Sequence, residues 1–518
     1  MRKRVEGTAQ DKHHWLLVGI IGLAFALRVI GLDSESLWRD EIDAIRFASQ
    51  PLSNLLGFFI IPGQNGPLYY LFLRPWLDLA GRSELALRFL SVVCGVVAVP
   101  LVYRLGRRLF PSLPSLALLA SLLAATSPYL VWYGQEGKMY TLAVALVLFS
   151  MERYLAALER GGWHRWLLYV AGTSAALYVH LIAALVVPAQ AILFFLTDRR
   201  TRQARWKPWL ASLAVLTLPY LPLLRWQLPM ILNPIESTGY AFVSLPSMLH
   251  SLLANYSLGV LHGQVGWSLV LFVGLLLAAG LVWQGQRTRL RALAQLVCWL
   301  LVPVLGFFLI TLVRPMYTAR YLIFVLPAYL LLLAAGAVAV WRHSRLLASF
   351  WLVALLATTG RGLWAQASTQ VKADFRGTTQ YVASQMAPDD LLLFQIPYGR
   401  HSFDYYYEAY QRPSTAPPEP APLPDRGGVL VFLPLVVIGD RAPYLWEDGL
   451  YTNGGMSLDE ADLGMSGIVS GREVVWLIET EVSLWDEREL VQSWLEEHAT
   501  LTDEAQFVRV TVKRYELP

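Results

Sequence analysis

The sequence predicts a polytopic α-helical membrane protein of about eleven transmembrane helices, followed by an α/β domain outside the membrane. The chain has 518 residues, of which 55% are hydrophobic and only 15% are charged. Soluble domains carry about 25% charged residues, so this composition indicates an integral membrane protein. The 19 tryptophans and 24 tyrosines fit the aromatic belts that form at both membrane surfaces.

The predicted transmembrane helices are apolar segments near the length of about 20 residues that a helix needs to cross a bilayer. The stretch 166–197 must break around Val179-His180-Leu181 to give two short helices. No small-residue cleavage site follows the first segment, so we expect it to be retained and not removed as a signal peptide. The candidate segments are 15–32, 85–104, 113–130, 138–157, 166–181, 182–197, 208–228, 267–284, 292–313, 320–340 and 345–363.

Basic residues predict the orientation of this bundle, because short cytoplasmic loops carry an excess of Lys and Arg. Five connections on one predicted side are basic: 104–108, 153–165, 198–202, 287–291 and 341–345. The pattern indicates a cytoplasmic N-terminus and an odd number of spans. The C-terminal domain is then expected on the extracytoplasmic side of the plasma or inner membrane.

The predicted outer side carries two long connections and the C-terminal domain. In the first connection, 33–84, the stretches Asp40–Ala48 and Pro67–Leu79 are predicted as amphipathic helices lying in the membrane interface. The second connection covers 229–266. We divide the chain into a transmembrane domain, 1–363, and an α/β domain, 364–518. In the latter, helices are predicted at Lys372–Met386 and Leu490–His498, and strands at Leu391–Ile396, Val429–Val437, Glu473–Ile478 and Phe507–Tyr515.

Polar and ionisable residues gather at the predicted outer ends of several helices. Charges near a membrane are costly, and they are usually functional when they face the interior of a bundle. The two cysteines, Cys94 and Cys298, lie within apolar segments, which excludes a disulfide framework. The polar group comprises Asp40-Glu41, Gln64-Asn65 with Tyr69-Tyr70, the segment 135–140 with Lys138 and Tyr140, His180, and the segment 314–321 with Arg320-Tyr321.

Four motifs within residues 15–340 carry a resemblance to a known family. They are Trp38–Glu41, Asn65–Tyr70, Ser127–Tyr140 and the pair Arg320-Tyr321 that opens a late helix. In this order and on one side of the membrane, they resemble the C-type (GT-C) glycosyltransferases. The nearest resemblance is to bacterial relatives of the protein O-mannosyltransferases and lipid A aminoarabinose transferases. The latter have Lys where this chain has Asn65.

This resemblance implies a polyprenyl-phosphate sugar donor and inversion at the anomeric carbon. Asp40 would be the catalytic base, and Glu41 its neighbour in the acceptor site. Lys138 and Arg320 would hold the donor phosphate, with Tyr140, Tyr321 and His180 beside them. Lys138 stands where many relatives have Arg, and it binds phosphate as a point charge without a bidentate fork. Gln64, Asn65 and Tyr69 would contact the acceptor.

The residues themselves support the same chemistry. Cations are needed to neutralise a departing phosphate, and a carboxylate partly removed from water can act as a base towards an acceptor hydroxyl. Adjacent carboxylates on one helix point in different directions, so Asp40 and Glu41 cannot flank one bond as a retaining glycosidase pair does. The expected partners are the lipid-linked donor, a lipid, glycan or protein acceptor, and the bilayer, with no nucleic acid.

Other interpretations of these residues stay open. Asp40 and Glu41 could cap a helix, Lys138 and Arg320 could be interfacial anchors, and the tyrosines could be belt residues. The principal alternative function is a transporter or lipid flippase, although no internal repeat is visible and the polar residues gather at one interface. A non-catalytic assembly partner is a third. The identity of the sugar and a divalent cation requirement are also open; we expect no metal-binding cluster.

Overall fold

A computed structural model describes residues 2–59, 66–218, 240–262, 272–276, 278–279, 287–394, 396–411, 430–431, 436–437, 457–482 and 488–518. The contacts divide the chain into two units. The helical unit takes the chain up to Leu32 and most of the residues between Phe47 and Thr369. The mixed unit combines Asp33–Arg46 with the C-terminal region from Gln370. Contacts therefore group the first part of the loop 33–84 with the C-terminal region.

The helical unit consists of helices that differ more in length than the predicted spans do, from 6 residues in Leu52–Gly57 to 28 in Arg2–Val29. Two 3-10 helices, Leu181–Leu185 and Ala319–Val325, each lead directly into an α-helix. The α-helices are Arg2–Val29, Leu52–Gly57, Pro67–Ala80, Glu84–Leu109, Pro114–Thr126, Pro128–Gly134, Tyr140–Arg160, Trp163–Val179, Val186–Leu196, Arg199–Thr217, Leu245–Leu258, Arg287–Val313, Leu326–His343 and Arg345–Ser368. Arg39–Ala48 begins in the mixed unit and ends in the helical unit.

Within the described residues, six helical stretches are long and apolar enough to cross a membrane, or seven if one bent pair counts as a single span. The predicted break at Val179-His180-Leu181 is present, because one helix ends at Val179 and a 3-10 helix begins at Leu181. The predicted spans 208–228 and 267–284 extend outside the described residues. The polytopic helical fold is confirmed, and the total of eleven spans stays a prediction.

The bent pair shows how the bundle accommodates a broken helix around a buried arginine. Pro128 has no N–H to donate to the carbonyl of Ala124, and the two helices meet at an angle of 54°. Arg28, which is fully buried, replaces the missing donors. Its guanidinium donates to the carbonyls of Ala124 and Ala125, at 3.1 and 3.0 Å, and to that of Ala24 at 3.0 Å. The first helix is thereby fixed to the broken one.

A glycine on the neighbouring helix makes room for Arg28, and this gives a test of the packing. A Cβ at Gly95 would lie 2.9 Å from Nε of Arg28. We expect Gly95→Ala to destabilise the protein by about 1–3 kcal/mol, measured as a lower melting temperature in detergent. Gly19→Ala is the matched control, because a Cβ there meets nothing within 4 Å. Equal melting temperatures for the two variants would contradict this packing.

The sheet of the mixed unit has four strands, which lie in the order Leu391–Phe394 (β1), Val474–Glu479 (β4), Val510–Glu516 (β6) and Thr500–Phe507 (β5). Strands β1 and β4 are parallel, and β6 pairs antiparallel with both β4 and β5. Helices Phe375–Gln385, Pro397–Gln411, Leu458–Val469 and Leu490–His498 accompany the sheet, and β2 (Leu430–Val431) pairs with β3 (Val436–Val437). The buried core lies between the sheet and its helices and includes Leu391, Met465, Leu477 and Trp494.

The sequence predicted the helices near Phe375–Gln385 and Leu490–His498 and three strands of the sheet. It did not predict strand β5 or the helices Pro397–Gln411 and Leu458–Val469, and it began β6 three residues too early. Residues 507–515 were expected to form one strand, but the chain reverses at Arg509, whose φ is +57°. Strand β5 carries Asp503, Glu504 and Gln506 and lies at the sheet edge. Its side chains are largely exposed, so it lacks the apolar alternation by which a strand is predicted.

Candidate active site

The Asp-Glu pair lies at the start of the helix Arg39–Ala48, within the mixed unit. The carboxylate of Glu41 is fully buried and accepts a hydrogen bond from Nζ of Lys372 at 3.2 Å. It also accepts from the backbone N–H of Trp38 at 3.4 Å, as an acid in the first turn of a helix commonly does. Asp40 is half-buried. The two neighbouring carboxylates thus have different surroundings.

The segment before this helix is held by hydrogen bonds to the start of the C-terminal region. The carboxylate of Glu35 accepts from the backbone N–H groups of Val371 and Lys372, at 2.6 and 3.0 Å. The hydroxyl of Ser36 donates to Asp374 at 2.7 Å. The backbone N–H of Leu37 donates to the hydroxyl of Tyr406 at 2.6 Å. The loop is therefore ordered by residues more than 330 positions further along the chain.

A second carboxyl belongs to the electrostatic surroundings of Asp40. Loss of hydration raises the pKa of Glu481, the charge of Asp40 raises it further, and Arg39 and Arg509 oppose the change. Glu481 has a φ of +50°, an unusual backbone conformation for a residue with a side chain. Such conformations cluster at functional sites. The sequence pattern did not single out Glu481, because nothing local distinguishes it from a loop acid.

In the helical unit, four of the predicted phosphate-binding residues are brought together. The ring of His180 lies 6.0 Å from that of Tyr140 and 5.7 Å from that of Tyr321, measured between centroids. The guanidinium carbon of Arg320 lies 5.9 Å from the centroids of both tyrosine rings. We call Tyr140, His180, Arg320 and Tyr321 the His180 cluster. Its members are separated by up to 181 positions in the sequence.

The residues of the His180 cluster lie at three points where an α-helix begins or is interrupted. Tyr140 is the first residue of a helix, His180 lies in extended backbone between two helices, and Arg320 is the second residue of the 3-10 helix Ala319–Val325. Irregular backbone within a membrane bundle is tolerated where it is buried in protein or lines a polar cavity. The interruptions let side chains of three separate segments converge.

His180 is the most unusual member of the cluster. It is 1% exposed, and both of its ring nitrogens are buried without a hydrogen-bond partner. Buried polar atoms are nearly always paired, so two unpaired nitrogens on one ring call for a specific explanation. A neutral imidazole has one N–H donor and one acceptor. The ring can therefore donate to an anion that also contacts Arg320.

Lys138 lies two residues before Tyr140 in a turn that is clamped to the helix Glu84–Leu109. Its backbone carbonyl accepts from the hydroxyl of Ser91 at 3.0 Å, and the hydroxyl of Thr141 donates to the carbonyl of Ser91 at 3.0 Å. The side chain of Lys138 is only 8% exposed. A cation at such a position is costly and commonly marks an ion or substrate site.

The remaining predicted site residues differ in where they lie and in whether the structure describes them. Tyr69 is buried, and its ring packs against that of Tyr70 at 5.6 Å. Gln64 and Asn65 lie outside the described residues. No three His, Cys, Asp or Glu side chains of the described segments converge as metal ligands would. Asp40 and Glu41 belong to one unit and the phosphate-binding candidates to the other, so their convergence on one cavity stays a prediction.

Two residues with central structural contacts were missed in the sequence. Arg28 had a signal, because a charge inside an apolar segment is expensive and needs partners. Lys372 had none, because its partner Glu41 is remote in the sequence and a lysine at the start of a predicted helix is ordinarily solvated.

Comparison with known proteins agrees with this architecture. A family model described as dolichyl-phosphate-mannose-protein mannosyltransferase matches residues 64–226, about a third of the chain. No curated protein matches the chain in sequence.

Several solved structures are similar over nearly the whole chain. ArnT from Cupriavidus metallidurans in the apo state has a TM-score of 0.59 at 13% identity, covering 97% of this chain and 98% of that one. The same enzyme bound to undecaprenyl phosphate gives a TM-score of 0.54 at 14% identity, with coverages of 96% and 97%. The oligosaccharyltransferase AglB from Archaeoglobus fulgidus, in complex with an inhibitory peptide and a dolichol-phosphate, gives 0.55 at 11% identity, with coverages of 98% and 74%. The chain therefore has the C-type glycosyltransferase fold.

Proposed function

We propose that this chain, which has the C-type glycosyltransferase fold, transfers a sugar from a polyprenyl-phosphate donor to an acceptor hydroxyl on the extracytoplasmic face of the membrane. The observation that carries the proposal is the His180 cluster. It combines a buried ring with two unpaired nitrogens, a guanidinium and two tyrosines. This set of donors suits a phosphate group at the end of an apolar chain.

The donor phosphate binds to the His180 cluster and to Lys138. The fixed charge of Arg320 attracts the phosphate oxygens, and an N–H of His180 donates a hydrogen bond to one of them. Donors that are already oriented, in surroundings with little water, stabilise the charge that develops on a leaving phosphate. The two tyrosine rings beside the guanidinium orient it through cation–π contact.

Transfer proceeds by a single displacement. The acceptor oxygen forms a bond to the anomeric carbon as the bond between that carbon and the phosphate oxygen breaks, which inverts the configuration. Asp40 accepts the proton of the acceptor hydroxyl, and the electron pair of the broken bond stays with the phosphate. Because the reaction has one step, it needs one base and no covalent nucleophile.

The acceptor approaches from the side of Asp40, and Gln64, Asn65 and Tyr69 of the outer connection 33–84 would contact it. The C-terminal region contributes to acceptor choice, since it orders the segment that carries Asp40. A lipid, a glycan and a protein each offer the hydroxyl that the reaction requires.

The proposal is tested with purified protein and a panel of polyprenyl phosphates carrying different radiolabelled sugars. Membrane extract supplies the mixed acceptors. We expect at least one donor to release free polyprenyl phosphate together with a labelled product, and Asp40→Asn to lose this release. If no donor is turned over, while the protein binds polyprenyl phosphate or moves it between leaflets of a vesicle, the flippase alternative is favoured.

A further inference from the structure

Lys372 and Glu41 form a buried ion pair between remote parts of the chain. The two residues are 331 positions apart, and their side chains are 10% and 0% exposed. Burying two charges is costly, and the pair offsets this cost only while both partners are present. Loss of Lys372 would remove a cation from the buried carboxylate of Glu41, and we expect the first turn of the helix Arg39–Ala48 to shift in response.

Helix geometry links this pair to Asp40. An α-helix has 3.6 residues per turn, so adjacent side chains point about 100° apart. With Glu41 directed into the protein towards Lys372, Asp40 takes a different direction and stays half-buried. Any rotation of the first turn that exposes Glu41 turns Asp40 away as well. The direction of the Asp40 side chain therefore depends on the contact between Glu41 and Lys372.

The segment around Lys372 is itself well anchored. Its backbone N–H donates to Glu35, and Asp374 accepts from Ser36. Arg376 adds a hydrogen bond from its guanidinium to the carbonyl of Asp33 at 3.0 Å. Lys372 is the member of this segment whose charged side chain reaches the helix that carries Asp40. The other contacts hold the loop that precedes the helix.

We propose that Lys372 is a positioning residue, which holds Glu41 and thereby orients Asp40 for transfer. Glu41 then serves the acceptor site indirectly, through the placement of Asp40. The inference rests on the proposed function of Asp40, and it makes the C-terminal region a part of the catalytic apparatus. It also predicts that loss of Lys372 lowers kcat and leaves the donor KM nearly unchanged, because the donor site would not be altered.

The test compares two buried Lys–Glu pairs of the same unit. Lys513 and Glu479 are 3.1 Å apart and 10% and 7% exposed, which matches the Lys372–Glu41 pair closely. We expect Lys372→Met to lower kcat about 10-fold to 100-fold with the donor KM changed less than about threefold, the size of effect that a misplaced catalytic group produces. Lys513→Met removes an equivalent pair and should retain kcat. Lys372→Arg should recover most of it, because the charge is kept.

Hydrogen–deuterium exchange of the full-length protein in detergent provides a measurement that does not depend on activity. We expect Lys372→Met, but not Lys513→Met, to increase exchange in residues 39–46. The positioning role is wrong if kcat falls in both variants only in proportion to the fraction of folded protein. It is also wrong if Lys372→Met retains kcat. If the wild type transfers no sugar, the proposed function fails separately. Unchanged exchange in Lys372→Met would then overturn the link between Lys372 and the helix as well.

Discussion

We expect Asp40→Asn to lower kcat about 10²-fold to 10⁴-fold, the range that general-base catalysis contributes. Asparagine has the shape of aspartate, so the helix Arg39–Ala48 should keep its contacts while the base is lost. The donor KM should change little, because the residues that we propose to bind the phosphate belong to the other unit. The measurement is the rate at which the labelled sugar is transferred from the donor to product under saturating donor.

Asp43→Asn is the matched control for this prediction. Asp43 lies on the same helix, one turn further on, and forms an ion pair with Arg46 at 3.2 Å. The side chains of this pair are 32% and 24% exposed, so losing it should cost about 1 kcal/mol or less, and the variant should fold and turn over donor normally. A kcat for Asp40→Asn within about threefold of the wild-type value would remove Asp40 from the role of base, since such a change is far below the contribution of a general base.

Arg320→Met should produce the second large effect, a fall in kcat/KM of about 10²-fold to 10³-fold. Methionine keeps much of the apolar stem but has no charge to neutralise the departing phosphate. The donor KM should rise as well, because in the proposed mechanism the same guanidinium also attracts the phosphate in the ground state. Initial rates over a range of donor concentrations separate the two effects.

The control for Arg320 is Arg361→Met, which removes an exposed cation from the helix Arg345–Ser368. It should leave kcat/KM unchanged. Arg320→Lys should be intermediate, since a lysine supplies charge without the planar fork of arginine. Equal activity of Arg320→Met and Arg361→Met would show that the His180 cluster does not bind the donor phosphate.

The fold class could be predicted from the sequence because that of a membrane protein is evident from the composition of short segments. Apolar segments of the right length, a break at His180, amphipathic stretches at Asp40–Ala48 and Pro67–Leu79, and a change of composition near 364 are all local features. The structure has helices at Arg39–Ala48 and Pro67–Ala80, close to the predicted bounds. The edge strand Thr500–Phe507 was missed, since it is polar and takes its structure from pairing with β6.

In the candidate site, too, some features could be predicted from local sequence and others depend on the fold. Motifs identified Tyr140, Arg320 and Tyr321, and the predicted break in 166–197 identified His180. The structure places these four residues together. The unpaired ring of His180 could not be foreseen, because hydrogen bonding depends on neighbours from other segments. The interaction of Glu41 with Lys372 was likewise invisible, and it gives the two adjacent acids different surroundings.

The sequence by itself determined that this protein is a helical membrane protein with a C-terminal α/β region, and which polar residues could serve chemistry. Hydrophobic length and periodicity are properties of consecutive residues, so no structure is needed to recognise them. Only the tertiary structure decided that Arg28 replaces the donor missing at Pro128, and that Lys372 holds Glu41. Charges far apart in the chain acquire partners only when folding buries them together, and the cost of leaving a buried charge unpaired then fixes their arrangement.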